Sequence, residues 1–142
     1  MGTLVHATTV DIAGLGVLIL GPSGAGKSDL ALRLIGDGAL LVADDQTSIT
    51  IENEALIARA PERIGGLLEA RGVGIVRGPT KAWTRLALAV DLTSDRIERM
   101  PEGGRWSLSG LAFPAIPMTQ LNPFEVSAGA KLRLALISVP IA

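Results

Sequence analysis

The run GPSGAGKS at residues 21–28 constrains this chain more than any other feature of its sequence. It matches the pattern G-x-x-x-x-G-K-[ST], with an apolar segment before it and a helical pattern after it. Glycines let the backbone N–H groups of such a loop approach phosphate oxygens, and the following helix adds the partial positive charge of its N-terminus. The run therefore predicts a phosphate-binding loop (P-loop), to which we expect all eight residues to contribute: Gly21, Pro22, Ser23, Gly24, Ala25, Gly26, Lys27 and Ser28.

The last two residues of this loop have side chains with their own chemistry. Lys27 can reach the β- and γ-phosphates of a nucleotide, and the hydroxyl of Ser28 can bind Mg²⁺. The alternative is a glycine-rich turn that only connects a strand to a helix, and the full match in the expected context makes it less favoured. The motif indicates phosphate and Mg²⁺ binding without specifying a reaction.

Length and composition exclude several other classes of protein. The 142 residues fit one domain, covering 1–142. A net charge of −1 predicts no nucleic-acid partner, and the absence of cysteine excludes disulfides and thiolate metal sites. The longest apolar stretch, around residues 12–20, is too short to span a membrane, and the N-terminus lacks the pattern of a secretory signal. We expect a cytoplasmic protein without a membrane partner.

Apolar periodicity predicts an α/β fold in which helices flank a mixed sheet. The predicted strands are Thr3–Ile12, Gly16–Leu20, Ala39–Ala43, a hairpin over Thr47–Arg59, and two further strands at 73–77 and 85–92. One helix is predicted directly after the P-loop, a short one from Pro61 to Gly65, and a last one over Glu125–Ile137. The stretch from Met100 to Pro123 is rich in proline and glycine and is predicted to be irregular.

Two carboxylates follow a predicted buried strand directly. Asp44 and Asp45 come after Ala39–Ala43, where many P-loop proteins place an acidic residue that helps to hold Mg²⁺. One could act as a general base toward an attacking hydroxyl while the other orients the metal. The alternative, a solvated pair in a turn, is less favoured because the P-loop is present.

Three further residues are weaker candidates on their own. Glu69 could bind Mg²⁺, and Arg71 could contact phosphate or hold Glu69 in place, although such a pair before a turn is more often an ordinary ion pair. His6 is the only histidine, and by itself a histidine in a strand is more typically a packed or edge residue than a catalytic one.

Taken together, His6, the P-loop, LVADD at 41–45 and EARGVGI at 69–75 resemble, in order and spacing, the catalytic domain of bacterial HPr kinase/phosphorylase. The resemblance implies a kinase that uses ATP or pyrophosphate with Mg²⁺ to phosphorylate a serine of the phosphocarrier HPr, and that can reverse the reaction by phosphorolysis. It also implies a fold like the nucleotide domain of phosphoenolpyruvate carboxykinase and a hexameric assembly. The roles that it implies are a base at Asp44, phosphate binding by Lys27, a metal site at Ser28, Asp45 and Glu69, His6 near the transferred phosphate, and Arg71 in the signature.

The chain departs from the family pattern in three places. It begins close to the first catalytic strand, so we expect a minimal catalytic domain without the family's N-terminal domain. The flexible basic loop is represented only by RGPTKAWTR at 77–85, in which Arg77, Lys81 or Arg85 could supply the charge. FPAIPMTQLNPFEV at 113–126 replaces a proline- and glycine-containing family run.

These departures leave two other functions open. The chain could be a kinase of a small molecule, or a non-catalytic module that senses nucleotide. If the chain instead acts on HPr, we expect HPr to dock on the C-terminal third. There Lys131 and Arg133 either contact an acidic partner or form a solvated helix face.

Overall fold

The structure is a computed structural model that describes residues 2–61, 67–70, 73–92, 104–109 and 111–138. Its strands are β1 (Thr3–Val5), β2 (Ala7–Ile12), β3 (Leu15–Leu20), β4 (Leu40–Ala43), β5 (Thr47–Glu52), β6 (Ala55–Arg59), β7 (Leu67–Ala70), β8 (Gly74–Arg77), β9 (Trp83–Leu92), β10 (Gly104–Ser107) and β11 (Ala115–Leu121). Its helices are α1 (Lys27–Gly36) and α2 (Ala128–Ile137).

Most of these strands form one mixed sheet, as the sequence predicts. Its order is β1-β5-β6-β9-β3-β2-β4, with β11 also paired to β9 and β10 paired to β11, while β7 and β8 form a separate hairpin. The strand β9 runs parallel to β3 and β11, and the other pairings between named strands are antiparallel. Because β9 pairs with β6 near its start and with β11 near its end, two groups of strands are joined along one long strand.

Two hydrophobic clusters occupy the two faces of the central strands. The first contains the buried residues of both helices, including Leu30 and Leu132, packed on β2, β3 and β9. The second contains strand and loop residues only, and brings Ile49 of β5 together with Ile116 of β11. The two helices therefore pack against the same face, and the sheet curls around the second cluster.

Two tight turns connect antiparallel neighbours, and the second is the turn of the hairpin predicted over Thr47–Arg59. Ala13 and Gly14 connect β2 to β3 with φ values of 53° and 89°, and Asn53 and Glu54 connect β5 to β6 with φ values of 52° and 63°. Two consecutive left-handed residues are the mark of a two-residue turn whose twist matches that of the flanking strands.

A buried polar network lies where β2 approaches the first of these turns. Asp11 is 2% exposed, and its carboxylate accepts hydrogen bonds from Gly14 N (2.9 Å), Lys81 Nζ (3.0 Å) and Thr84 Oγ1 (2.6 Å). Burial alone would raise the pKa of Asp11, but the hydrogen bonds from Thr84, Lys81 and Gly14 outweigh it, so the pKa lies below its ordinary value of 3.8. The ionised carboxylate therefore ties β2 to β9.

The structure differs from the sequence prediction at three places. His6 separates β1 from β2, so the single strand expected over Thr3–Ile12 is two strands. The stretch predicted to be irregular contains β10 and β11. Proline obscured β11, whose ladder with β9 begins at Met118, directly after Pro117, while Pro117 itself pairs with Arg105 of β10. The helix predicted from Pro61 falls mainly on residues outside the described ranges, and Leu67–Ala70 beyond it form a strand.

The helix predicted over Glu125–Ile137 is confirmed as α2. Across the described ranges, no helix has both the length and the apolar character needed to cross a membrane.

Candidate active site

The sheet topology places the start of β2 and the ends of β3 and β4 together, at one end of these strands that is called the sheet edge below. Ala7, the first residue of β2, pairs with Leu20, the last residue of β3, and Thr9 pairs with Ala43, the last residue of β4. Since β2 is antiparallel to both neighbours, the P-loop after β3, the aspartates after β4 and His6 before β2 all lie at this edge. Antiparallel pairing of β2 with β3 and β4 thus brings together residues that are far apart in the sequence.

The P-loop leads directly into α1. Gly26 caps the helix in a left-handed conformation, with φ of 99°, and its carbonyl accepts the N–H of Leu30 at 3.0 Å. Lys27 is only 6% exposed, and its Nζ donates to the carbonyl oxygens of Gly21 (2.7 Å) and Pro22 (3.1 Å). The lysine ammonium is therefore held against the loop that precedes it.

One hydroxyl positions both aspartates. Thr8 is fully buried, and its Oγ1 donates to Asp44 Oδ1 at 2.9 Å and accepts the backbone N–H of Asp45 at 3.2 Å. Ser28 Oγ donates to the same Asp44 oxygen at 2.7 Å. Asp44 therefore faces the first turn of α1 and contacts the residue that the sequence assigned to Mg²⁺.

The second aspartate points elsewhere. Asp45 has a left-handed backbone, with φ of 67°, and its Oδ1 lies 2.9 Å from Nε2 of His6. The side chains of His6 and Asp45 are 48% and 70% exposed, so the histidine is not a packed core residue. The two adjacent carboxylates thus have different partners, consistent with a division of roles.

A pocket of about 320 Å³ lies at the sheet edge. Its walls come from the P-loop and the start of α1, from Asp44 and Asp45, and from Phe124 beyond β11. Polyphosphate would therefore meet backbone N–H groups, an ammonium, a hydroxyl and two carboxylates together.

The pocket residues fit Mg²⁺. Mg²⁺ takes oxygen ligands, usually one or two carboxylates together with phosphate and water oxygens, and the Ser28 and Asp44 oxygens stand 2.7 Å apart. Within the described ranges, no group of three or more His, Asp and Glu side chains could form a metal site by itself. A cation here would be shared between these side chains and the phosphates.

Glu69 is placed only through its backbone. It lies in β7, paired with Ile75 of β8, and β7 contacts α1. Arg71 lies outside the described residues. Of the basic residues considered for the family loop, Lys81 is bound to Asp11, and Arg85 is exposed in β9.

The two basic residues considered for docking an acceptor lie on α2. Lys131 donates to Glu125 at 2.6 Å, and Arg133 is 3.4 Å from the carbonyl oxygen of Asp37. Each therefore has a partner within the chain.

Sequence reasoning missed two residues of the site. Thr8 follows the break at His6, and its contacts with the aspartates depend on the pairing of β2 with β4, which no local pattern predicts. Phe124 follows an Asn-Pro turn far from the P-loop in sequence, and only the parallel pairing of β11 with β9 brings it close.

Residues 1–81 match the family model of the HPr Serine kinase C-terminal domain. The chain is 48% identical over 98 residues to the HPr kinase/phosphorylase of Halalkalibacterium halodurans, and 47% identical over 98 residues to that of Geobacillus kaustophilus. Each alignment covers 63% of this chain and 32% of the relative, so the chain spans about a third of the length of these relatives.

A solved structure of the Hpr(Ser) kinase/phosphatase from Coxiella burnetii superposes with a TM-score of 0.75 at 26% identity. The match covers 95% of this chain and 88% of that one, and so extends well beyond the residues matched by the family model. The resemblance seen in the sequence is thereby confirmed at the level of family and overall fold. The chain belongs to the HPr serine kinase C-terminal domain family.

Proposed function

We propose that this chain is a phosphotransferase that moves a phosphoryl group from ATP, or from pyrophosphate, to a serine of the phosphocarrier HPr. The observation that carries the proposal is the contact of Asp44 with Ser28 at 2.7 Å, beside the ammonium of Lys27 and the P-loop. A carboxylate, a phosphate-binding loop and a hydroxyl meet in one pocket, as phosphoryl transfer by positioning and charge neutralisation requires. The names of the relatives support HPr as the acceptor.

The reaction follows from these placements. The oxygen of the acceptor serine forms a bond to the terminal phosphorus, the bond from that phosphorus to the bridging oxygen breaks, and the shortened polyphosphate leaves. Asp44 takes the proton of the serine hydroxyl in this direction and returns it in phosphorolysis. Lys27 and the loop N–H groups offset the negative charge of the phosphates.

When Mg²⁺ is bound, it neutralises phosphate charge as a Lewis acid. We assign Ser28, Asp45 and Glu69 to its surroundings, with Asp44 as the base that contacts Ser28 at 2.7 Å. His6 orients Asp45 through the 2.9 Å contact and lies close to the transferred group. Arg71 completes the catalytic set in this proposal.

The proposal also includes finer features of the family. Residues 1–142 act as one catalytic unit with a nucleotide domain like that of phosphoenolpyruvate carboxykinase, working in the cytoplasm without nucleic-acid or membrane partners. The assembly is a hexamer. Light scattering coupled to size-exclusion chromatography measures the number of subunits, and a monomer at assay concentrations would contradict this part.

The central test is transfer to the organism's own HPr. Label from γ-labelled ATP with Mg²⁺ is expected on HPr, and on no HPr in which the acceptor serine is alanine. Lys27→Ala should weaken ATP binding and abolish transfer, whereas Asp44→Asn should abolish transfer with ATP binding retained. Equal loss of binding in both variants would show that Asp44 holds the metal or the structure and does not act as the base.

The same assay separates the other two functions. Label that enters a metabolite fraction and not HPr would indicate a small-molecule kinase. Tight ATP binding with no acceptor labelled would indicate a nucleotide-sensing module. Either result would refute the proposal.

A further inference from the structure

Phe124 is an exposed aromatic residue at the mouth of the phosphate pocket. Phe124 is 68% exposed, and it lines the pocket together with the P-loop and the two aspartates. It lies beyond residues 1–81, which the family model matches, and no catalytic role described above uses it. An aromatic face kept in solvent beside a polyphosphate site calls for an explanation.

The backbone holds Phe124 in place. Its N–H donates to Oδ1 of Asn122 at 3.0 Å, and the guanidinium of Arg33 in α1 donates to the carbonyl oxygen of Pro123. Pro123 packs on the P-loop so closely that a Cβ atom on Gly26 would lie 3.2 Å from its Cγ. The segment after β11 is therefore docked onto the loop, and the backbone of Phe124 is held beside the pocket before any ligand binds.

A second cleft continues from the phosphate pocket along α1. It has a volume of about 250 Å³ and is lined by Gly26, Asp29, Arg33, Pro123 and Phe124. Gly26, Asp29 and Phe124 also line the first pocket, so the two volumes adjoin. The first pocket extends to the two aspartates, and the second extends one helical turn away from them, toward Arg33.

This arrangement gives a bound polyphosphate a direction. An acceptor hydroxyl must approach the terminal phosphorus in line with the bond that breaks, so the terminal phosphate lies toward Asp44. The other end of the donor then lies toward Phe124 and Arg33. A nucleobase there would stack on an aromatic ring, an interaction that depends little on the identity of the base.

We propose that the cleft beside Phe124 binds the nucleoside of the phosphoryl donor, with the base stacked on the Phe124 ring. The donor of this chain is then a nucleoside triphosphate, for which pyrophosphate is a weaker substitute because it lacks the stacked group. The inference rests on the proposed phosphotransfer function and specifies its donor. Asp29 at the same cleft offers a carboxylate to the ribose hydroxyls.

The test compares two ligands on the full chain. Isothermal titration calorimetry with Mg²⁺ measures the binding of ATP and of pyrophosphate to the wild type, Phe124→Ala and Phe124→Trp. We expect Phe124→Ala to weaken ATP binding about tenfold or more and to change pyrophosphate binding by less than about twofold. Phe124→Trp keeps an aromatic face and should retain ATP affinity. Phe113→Ala is the matched control, because Phe113 is 66% exposed and lines neither cleft, and it should change neither affinity.

Each other outcome overturns the inference in a recognisable way. Equal weakening of both ligands in Phe124→Ala would mean a disturbed P-loop, and unchanged ATP binding would mean that the ring does not contact the base. Unchanged ATP binding with slower labelling of HPr would assign Phe124 to acceptor docking. A wild type that binds pyrophosphate and not ATP refutes the nucleoside cleft alone, whereas a wild type that binds neither refutes the proposed function as well.

Discussion

Replacing Asp11 with asparagine should destabilise the fold without touching the phosphate site. Asparagine keeps one oxygen for the N–H of Gly14, but it puts an NH₂ group where the other oxygen accepts from Lys81 and Thr84. The Thr84 hydroxyl can turn and accept from that NH₂ group, whereas the Lys81 ammonium can only donate. The Lys81 side chain is 37% exposed, so its ammonium can reorient and be hydrated by water.

The magnitude follows from these contacts. A hydrogen bond to a charged group contributes about 1.5–3 kcal/mol, and one of the two at this oxygen is partly recovered, so Asp11→Asn should lower the free energy of unfolding by about 2 kcal/mol. Urea denaturation followed by far-ultraviolet circular dichroism at neutral pH measures this difference. Unchanged free energy of unfolding would refute the reasoning, since it would mean that the buried carboxylate contributes nothing net.

The effect should also depend on pH. The pKa of Asp11 is lowered by folding, so its contribution is fully present above the ordinary value of 3.8 and is lost as the pH falls through the lower pKa of the folded state. The difference between wild type and Asp11→Asn should therefore narrow below pH 3.8. A difference that stayed constant there would show that packing, and not charge, is what the substitution removes.

Glu52 offers a matched control for this measurement. It is also paired with a cation, Arg59 at 2.8 Å, and its pKa is also lowered, mainly by the hydrogen bond from Arg59. The side chains of Arg59 and Glu52 are 42% and 47% exposed, so water competes for the same contacts. Glu52→Gln should therefore leave the urea midpoint unchanged, and a shift as large as that of Asp11→Asn would contradict the importance of burial.

Three further predictions concern glycine and histidine positions. A Cβ atom on Gly16 would lie 2.7 Å from the carbonyl oxygen of Arg85, so Gly16→Ala should lower the free energy of unfolding by about 1–3 kcal/mol, as measured by urea denaturation. A Cβ atom on Gly36, at the end of α1, would meet open space, so Gly36→Ala should raise the free energy of unfolding by about 0.5–1 kcal/mol. A destabilised Gly36→Ala would contradict this contrast. Gly26→Ala combines a left-handed φ with contact to Pro123, so it should lose about 1–2 kcal/mol of stability and weaken pyrophosphate binding in calorimetry, and intact binding would argue against the docked segment. His6→Ala should slow HPr labelling about tenfold or more while ATP affinity is retained, and unchanged turnover would remove His6 from the catalytic set.

Local patterns predicted the parts of this fold that local chemistry determines. The helix after the glycine-rich run, the hairpin over Thr47–Arg59 and the strand before Asp44 were predictable because helix periodicity, turn residues and apolar runs act over a few residues. The assignment of Asp44 and Asp45 to one edge also followed from sequence, since it needed only the end of a strand.

Features that depend on distant pairing were not predictable in the same way. β11 contains Pro117 and lacks clear alternation, and it is a strand because β9 and β10 provide its partners. The break at His6 depends on β1 pairing with β5 while β2 pairs with β3 and β4. Phe124 enters the site for the same reason, through a parallel ladder that joins segments far apart in the chain.

The strand β2 carries Thr8 near one end and Asp11 near the other, and these residues serve different properties of the protein. Thr8 orients the two aspartates of the pocket, while Asp11 fastens β2 to β9 through Thr84 and Lys81. Stability and the geometry of the pocket thus depend on separate positions of a single structural element. Substitutions around Asp11 can therefore raise or lower thermal tolerance while the hydrogen bonds from Thr8 to the two aspartates are kept, so the two properties can be adjusted independently in evolution or by design.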